Sequence, residues 1–125
     1  MPAARKGALI IDRRSSVRES LRSKIVESSG ASVDVANSVA DSVKHLMHSK
    51  YTLILVDLEL LQGSLVDCMR TLKPTPITIG MASTPEIKLA EEAGLLHAVI
   101  RKPDDLDRIA HVAASILTAQ RESSS

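Results

Sequence analysis

Charged residues that could carry out chemistry stand at the ends of short strand-like runs in the sequence. Asp12, followed by Arg13, ends the first such run, and Asp57 and Lys102 end two later ones. A carboxylate can attack a phosphoryl group where nearby cations offset the negative charge that builds up on the oxygens. Lysine supplies one such cation, and a metal ion held by acidic groups usually supplies another. These residues therefore suggest phosphoryl chemistry at Asp57, provided that the fold brings the run ends together.

The hydrophobic pattern indicates which elements would position these residues. Short apolar or alternating runs predict five strands: Ala8–Ile11, Ala31–Val35, Thr52–Val56, Ile77–Met81 and Ala98–Arg101. Each run is followed by a segment with helical spacing or helix-boundary signals, which predicts five helices: 15–29, 39–47, Ser64–Leu72, Pro85–Ala93 and Asp104–Ala119. Strands and helices thus alternate along the chain.

Local signals mark where two of these helices begin. Ser16 with Glu19 has the spacing of a capping box, and Asn37 or Ser38 is a candidate N-cap for the second helix. Gly30 closes the first helix.

The strand composition predicts the fold class. Continuous apolar strands such as Leu53–Val56 are typical of a sheet that is buried on both faces. We therefore predict an α/β fold in which a doubly wound, five-stranded parallel sheet is flanked by five helices. Ligands of such sheets bind beyond the carboxyl ends of the strands, where Asp12, Asp57 and Lys102 would meet.

Length and composition predict one globular domain. The chain has 125 residues, of which 44% are hydrophobic and 25% charged. We assign 7–118 to the domain, 1–6 to an N-terminal tail and 119–125 to a C-terminal tail or linker. The single cysteine excludes a disulfide framework within the chain and fits a reducing cytoplasm.

Composition also argues against two classes of partner. The chain has one tyrosine, no tryptophan or phenylalanine, and a net charge of +1. Direct nucleic-acid binding is not expected, because base stacking needs aromatic side chains and phosphate binding needs basic surface. No apolar run is long enough to span a membrane, so no membrane association is expected.

The ordered set of strand-end motifs resembles the receiver domains of two-component response regulators. The resemblance covers Gly7 to about Leu117 and rests on LIID, LILVDLEL, the AG before the last strand, and RKP. It implies a flavodoxin-like receiver fold in which Asp57 accepts a phosphoryl group from a kinase's phosphohistidine. It also implies that Lys102 contacts that phosphoryl group.

Three positions depart from the family pattern. Arg13 replaces the second acidic residue after the first strand, a principal Mg²⁺ ligand in the family. Met81 replaces a hydroxyl residue, and Val99 replaces an aromatic one. Asp12 and Asp57 remain as candidate metal ligands, but arginine cannot ligate a metal and repels a dication. These departures predict an atypical, degenerate pseudo-receiver with weak or absent Mg²⁺ binding.

Charge suggests what Arg13 does instead. Asp12, Asp57 and the nearby Glu59 would form an acidic pocket, in which carboxylates repel each other. We therefore predict that Arg13 pairs with Asp57, with Asp12 as a further candidate partner, and replaces the metal by a fixed ion pair.

The resemblance also implies a role and partners. It indicates a non-enzymatic, cytoplasmic signalling module that acts by protein–protein contact with a histidine kinase, a phosphotransfer protein or an output domain in cis, or as a homodimer. The interaction surface would lie on segment 86–116, with these candidate residues: Glu91, Glu92, Leu95, Leu96, Arg101 and Arg108.

Two other functions remain open from the sequence. A basic pair, Arg13 and Arg14, allows a sensor of a nucleotide second messenger. Glu59, two residues after Asp57, allows an aspartate-nucleophile phosphatase, although the other parts of such a site are not visible in the sequence.

Overall fold

The computed structural model describes residues 6–73, 75–82, 98–101 and 106–123. Within these residues it contains five strands: β1 Lys6–Ile11, β2 Val33–Ala36, β3 Tyr51–Asp57, β4 Ile77–Ala82 and β5 Ala98–Arg101. It also contains four α-helices: α1 Ser15–Ser29, α2 Val39–His48, α3 Gly63–Arg70 and α4 Leu106–Ser123. A 3₁₀ turn, Leu58–Leu60, follows β3 directly. The predicted helix Pro85–Ala93 lies outside the described residues.

The described strands form one parallel sheet in the order β2-β1-β3-β4-β5. The chain starts near the middle of the sheet and adds strands first on one side and then on the other. This is the predicted doubly wound topology. Because all the strands run in one direction, the ends of β1 and β3 lie at the same edge of the sheet, where Asp12 and Asp57 stand.

Both faces of the sheet are covered, as the apolar strands predicted. Leu53 and Leu55 of β3 point into a cluster formed with α1 and α4. Ile54 and Val56, which point the other way, pack in a second cluster with residues from α2 and α3. Successive strand residues face opposite sides of a sheet, so a strand buried on both sides needs an unbroken apolar run.

The helix boundaries follow local hydrogen bonding only in part. Ser38 is the N-cap of α2, and its hydroxyl accepts a hydrogen bond from Asp41 N at 3.1 Å. Gly30 ends α1, as predicted, and it adopts the left-handed conformation, with φ 68°. The predicted capping box is wrong, because the N-cap of α1 is Arg14 and no side-chain bond caps the helix. Ser16 lies inside the first turn instead.

Most element boundaries differ from the predicted ones by one or two residues, and the ends of the described chain show this most clearly. β1 begins at Lys6, two residues before the predicted strand start at Ala8. α4 extends to Ser123, four residues beyond the predicted end at Ala119. The sequence after Ala119 contains no proline or glycine that would break the helix, so it continues. Among the described residues, no helix combines the length and the apolar composition needed to cross a bilayer.

Candidate functional site

Asp57 lies where β3 passes into the 3₁₀ turn. Only 3% of its surface is exposed. Its Oδ1 accepts a hydrogen bond from Glu59 N at 3.1 Å, which caps the turn. The carboxylate therefore has a fixed orientation at the carboxyl edge of the sheet.

Arg13 connects two carboxylates at this edge. Its Nε lies 3.7 Å from Asp57 Oδ2, and its Nη2 contacts Glu59 Oε2. The predicted ion pair between Arg13 and Asp57 is thus confirmed. The bridge to Glu59 was not predicted, because it depends on the path of the 3₁₀ turn, which brings Glu59 back towards the end of β1.

Asp12 is fully buried beside this cluster. Its Oδ1 accepts a hydrogen bond from Arg14 N at 2.9 Å, and its backbone carbonyl accepts one from Arg18 Nη1, also at 2.9 Å. Arg18 was missed by the sequence analysis. The available signal was its place one helical turn after Arg14, which lets its side chain reach back to the end of β1.

Met81 lies opposite Asp57 in the pairing of β3 with β4. Its side chain is fully buried in the cluster beneath α1 and α4. A thioether cannot donate a hydrogen bond, so the strand position next to Asp57 contributes apolar packing and no hydroxyl.

The surroundings of the ion pair determine its strength. Asp57 is buried, whereas 54% of the Arg13 side chain is exposed. Unit charges about 4 Å apart attract by about 1 kcal/mol in water and about 4 kcal/mol at the effective dielectric constant near a protein surface. Because solvent screens the exposed guanidinium, the attraction lies between these limits.

The carboxylate oxygens at this edge that could ligate a Mg²⁺ ion already have partners within the chain. Mg²⁺ requires oxygen ligands in near-octahedral geometry. Here Asp57 Oδ2 and the Glu59 carboxylate face the Arg13 guanidinium, and Oδ1 of both Asp12 and Asp57 accepts a backbone hydrogen bond. In the part of the chain that is described, no three His, Cys, Asp or Glu side chains are grouped to hold a metal.

The remaining predicted site residues fall partly within the described chain and partly outside it. Lys102 and four candidate surface residues lie outside the described residues: Glu91, Glu92, Leu95 and Leu96. Val99 pairs with Gly80 in the backbone register of β4 and β5, and Arg101 ends β5. Arg108 is exposed on α4. The structure thus brings Asp12, Arg13, Asp57, Glu59 and Met81 to one region.

Solved structures of response regulator receiver domains share this architecture. A response regulator receiver domain (CheY-like) from Methylobacillus flagellatus is 22% identical, with a TM-score of 0.70 over 90% of this chain and 99% of that chain. The REC domain of AraT, a response regulator from Geobacillus stearothermophilus, is 23% identical, with a TM-score of 0.74 over 98% and 100%.

A third structure shows the same similarity. The signal receiver domain of an HD domain-containing protein from Pseudomonas fluorescens Pf-5 is 17% identical, with a TM-score of 0.76 over 96% of this chain and 99% of that chain. The chain has the receiver fold. These three similarities confirm the predicted flavodoxin-like fold class. No protein-family model matches the sequence, and no curated protein matches it.

Proposed function

We propose that the chain is an atypical receiver domain of a two-component or phosphorelay protein, which signals by protein–protein contact. Asp57 stands at the phosphoacceptor position, and its Mg²⁺-dependent phosphorylation is impaired. The observation that carries this proposal is the Arg13 side chain, which spans Asp57 and Glu59. The receiver fold and the place of Asp57 at the end of β3 support the family assignment.

Arg13 impairs phosphorylation in three ways. Its positive charge repels a dication, and it takes the place of an acidic ligand. Its Nε also faces Asp57 Oδ2, one of the two oxygens that could attack phosphorus. Met81 adds to the effect, because no hydroxyl is present there to bind a phosphoryl group.

The proposed module is not an enzyme and acts in the cytoplasm. Its partners are a histidine kinase, a phosphotransfer protein or an output domain in cis, and homodimerisation is an alternative. Exposed Arg108 on α4 is available for such contacts. Lys102, if it keeps the family role, would contact any phosphoryl group on Asp57.

The two alternative functions gain no support from the geometry. The hypothesis of a nucleotide sensor required arginines that are free to bind phosphate, but the Arg13 guanidinium contacts two carboxylates. The phosphatase depended on Glu59 as a second acid, and that carboxylate is held by the same guanidinium.

The test is a titration with Mg²⁺ and beryllofluoride, a phosphoryl mimic, followed by ¹H–¹⁵N NMR. We expect the wild type to show little change around Asp57 at millimolar Mg²⁺. The Arg13→Asp variant removes the repulsion and adds a ligand, so we expect its apparent affinity to rise about ten-fold or more, which corresponds to about 1.4 kcal/mol.

A matched control separates this local effect from a change in net charge. Arg22→Asp makes the same charge change at an exposed position of α1, and it should titrate like the wild type. Saturation of the wild type at the Mg²⁺ concentration that saturates Arg13→Asp would contradict impaired phosphorylation.

A further inference from the structure

A groove opens next to Asp57, between the 3₁₀ turn and α3. Its apolar lining comes from Leu58, Leu61 and Val66, and two acidic residues, Glu59 and Asp67, lie along it. Its volume of about 490 Å³ is within the range of ligand pockets, and the groove is open to solvent on one side. It can therefore admit side chains of another molecule.

The charges along this groove have one sign. Asp67 is exposed, and within the described residues no ion pair engages it. Glu59 is also solvent-accessible, with 52% of its side chain exposed, although Arg13 contacts it. A cation from another molecule could reach both carboxylates without burial of an unpaired charge.

We propose that this groove docks a protein segment that carries arginine or lysine next to leucine-like side chains. The apolar residues pack mainly on half-buried Leu61 and Val66, since Leu58 is buried and contributes little exposed area, and the cations pair with Asp67 and Glu59. Apolar packing together with opposite charge is the combination that this lining complements.

Docking is coupled to the phosphoacceptor position through Glu59. That carboxylate lines the groove and also contacts Arg13, which pairs with Asp57. A docked cation that competes for Glu59 removes one of the two anions that hold the guanidinium, so the position of the Arg13 side chain beside Asp57 changes. The coupling rests on the proposed function, because it takes the state in which Arg13 contacts both Asp57 and Glu59 as the resting state. It gives the module a phosphorylation-independent input.

The experiment is an NMR titration of the whole chain with the peptide acetyl-Arg-Leu-Leu-Arg-amide. We expect shifts of the groove amides and of the Arg13 Nε–Hε signal with one common dissociation constant on the order of 1 mM. The peptide acetyl-Glu-Leu-Leu-Glu-amide is the control and should produce neither change. No phosphodonor is present, so the result does not depend on whether Asp57 can be phosphorylated.

Two variants with the same change in charge locate the binding site. Asp67→Asn should weaken peptide binding about three-fold, whereas Glu27→Gln, on the exposed face of α1, should leave it unchanged. Absence of groove shifts, equal binding of the acidic peptide, or equal binding by Asp67→Asn would overturn the docking site. Groove shifts with an unmoved Arg13 signal would overturn the coupling.

Discussion

At the scale of single residues, three arginines that follow β1 bind different groups at the carboxyl edge of the sheet. Arg13 uses its guanidinium to bridge the Asp57 and Glu59 carboxylates. Arg14 uses its backbone N–H to fix the Asp12 side chain, and Arg18 binds the Asp12 carbonyl. The buried carboxylates therefore have polar partners from the chain itself, in accordance with the general rule for buried charge.

Tyr51 makes a buried polar contact in another part of the sheet. Its hydroxyl donates a hydrogen bond to Asp34 Oδ2 at 2.6 Å, and only 3% of the residue is exposed. Burial first, and then the hydrogen bond and negative charge of Asp34, raise the pKa of Tyr51 above its ordinary value. The folded protein thus holds the phenolic proton more tightly than the unfolded chain does.

The sign of the pH dependence follows from this raised pKa. The contribution of Tyr51 to stability should be complete below about pH 10, the ordinary tyrosine pKa, and should be lost as the pH rises above it. As the only aromatic residue, Tyr51 can be followed by tyrosinate absorbance at 295 nm without interference. For the native protein, we expect the absorbance to rise only when the protein unfolds at alkaline pH. For the protein unfolded in guanidinium chloride, we expect it to rise near pH 10. Ionisation near pH 10 with native circular dichroism would contradict the buried contact.

At the scale of elements, α1 and α2 begin in different ways. Ser38 caps α2 with a side-chain hydrogen bond, whereas α1 follows Arg14 without one. The start of α1 is instead fixed where the chain leaves β1, with Arg14 N bound to Asp12. Tertiary position has overridden the local capping signal of Ser16 and Glu19.

Serine substitutions should separate these two modes. Ser38→Ala loses the bond to Asp41 N and should lower the free energy of unfolding by about 1 kcal/mol. Ser16→Ala removes a hydroxyl from a predicted capping position that is not the N-cap, so the change should stay within about 0.5 kcal/mol. Urea unfolding of both variants measures the difference. Equal losses would contradict the assigned caps.

Sequence patterns predicted the elements where local and tertiary preferences agree. The apolar run of β3 and the glycine that ends α1 are such cases. The end of α4 was missed, since Gln120 and the residues after it tolerate helix and loop alike.

At the scale of the whole molecule, stability depends on the two apolar clusters that cover the sheet. They contain no phenylalanine or tryptophan, so tight aliphatic packing must supply the core. Met81 is part of this packing although it lies next to Asp57. Restoring a hydroxyl there would therefore affect the core as well as the site.

Two methionine substitutions should show this difference. Met81→Thr removes buried volume and adds a hydroxyl, so it should destabilise the protein by about 2–4 kcal/mol. Met47→Thr makes the same chemical change where the residue is 74% exposed, and should cost less than about 0.5 kcal/mol. Chemical denaturation provides the comparison, and a similar cost for both variants would refute the core role of Met81.

The candidate site was predictable to the extent that it depends on strand order. Asp12 and Asp57 converge because parallel strands end at one edge, and opposite charge predicts the pairing of Arg13 with Asp57. The contacts of Glu59 and Arg18 were not predictable, because they depend on side-chain directions set by the 3₁₀ turn and by the first turn of α1.

The short strand β2 has a consequence for how the protein behaves at high concentration. It forms one edge of the described sheet and has only four residues, Val33–Ala36. Strand edges can recruit further chains, and a short edge with an ionisable side chain resists this edge-to-edge association. Asp34 lies in this edge strand, and its carboxylate accepts a hydrogen bond from Tyr51 OH of β3, on the inner side of the strand. A four-residue edge exposes few backbone groups to a second chain, so we expect the folded chain to resist aggregation through this side of its sheet.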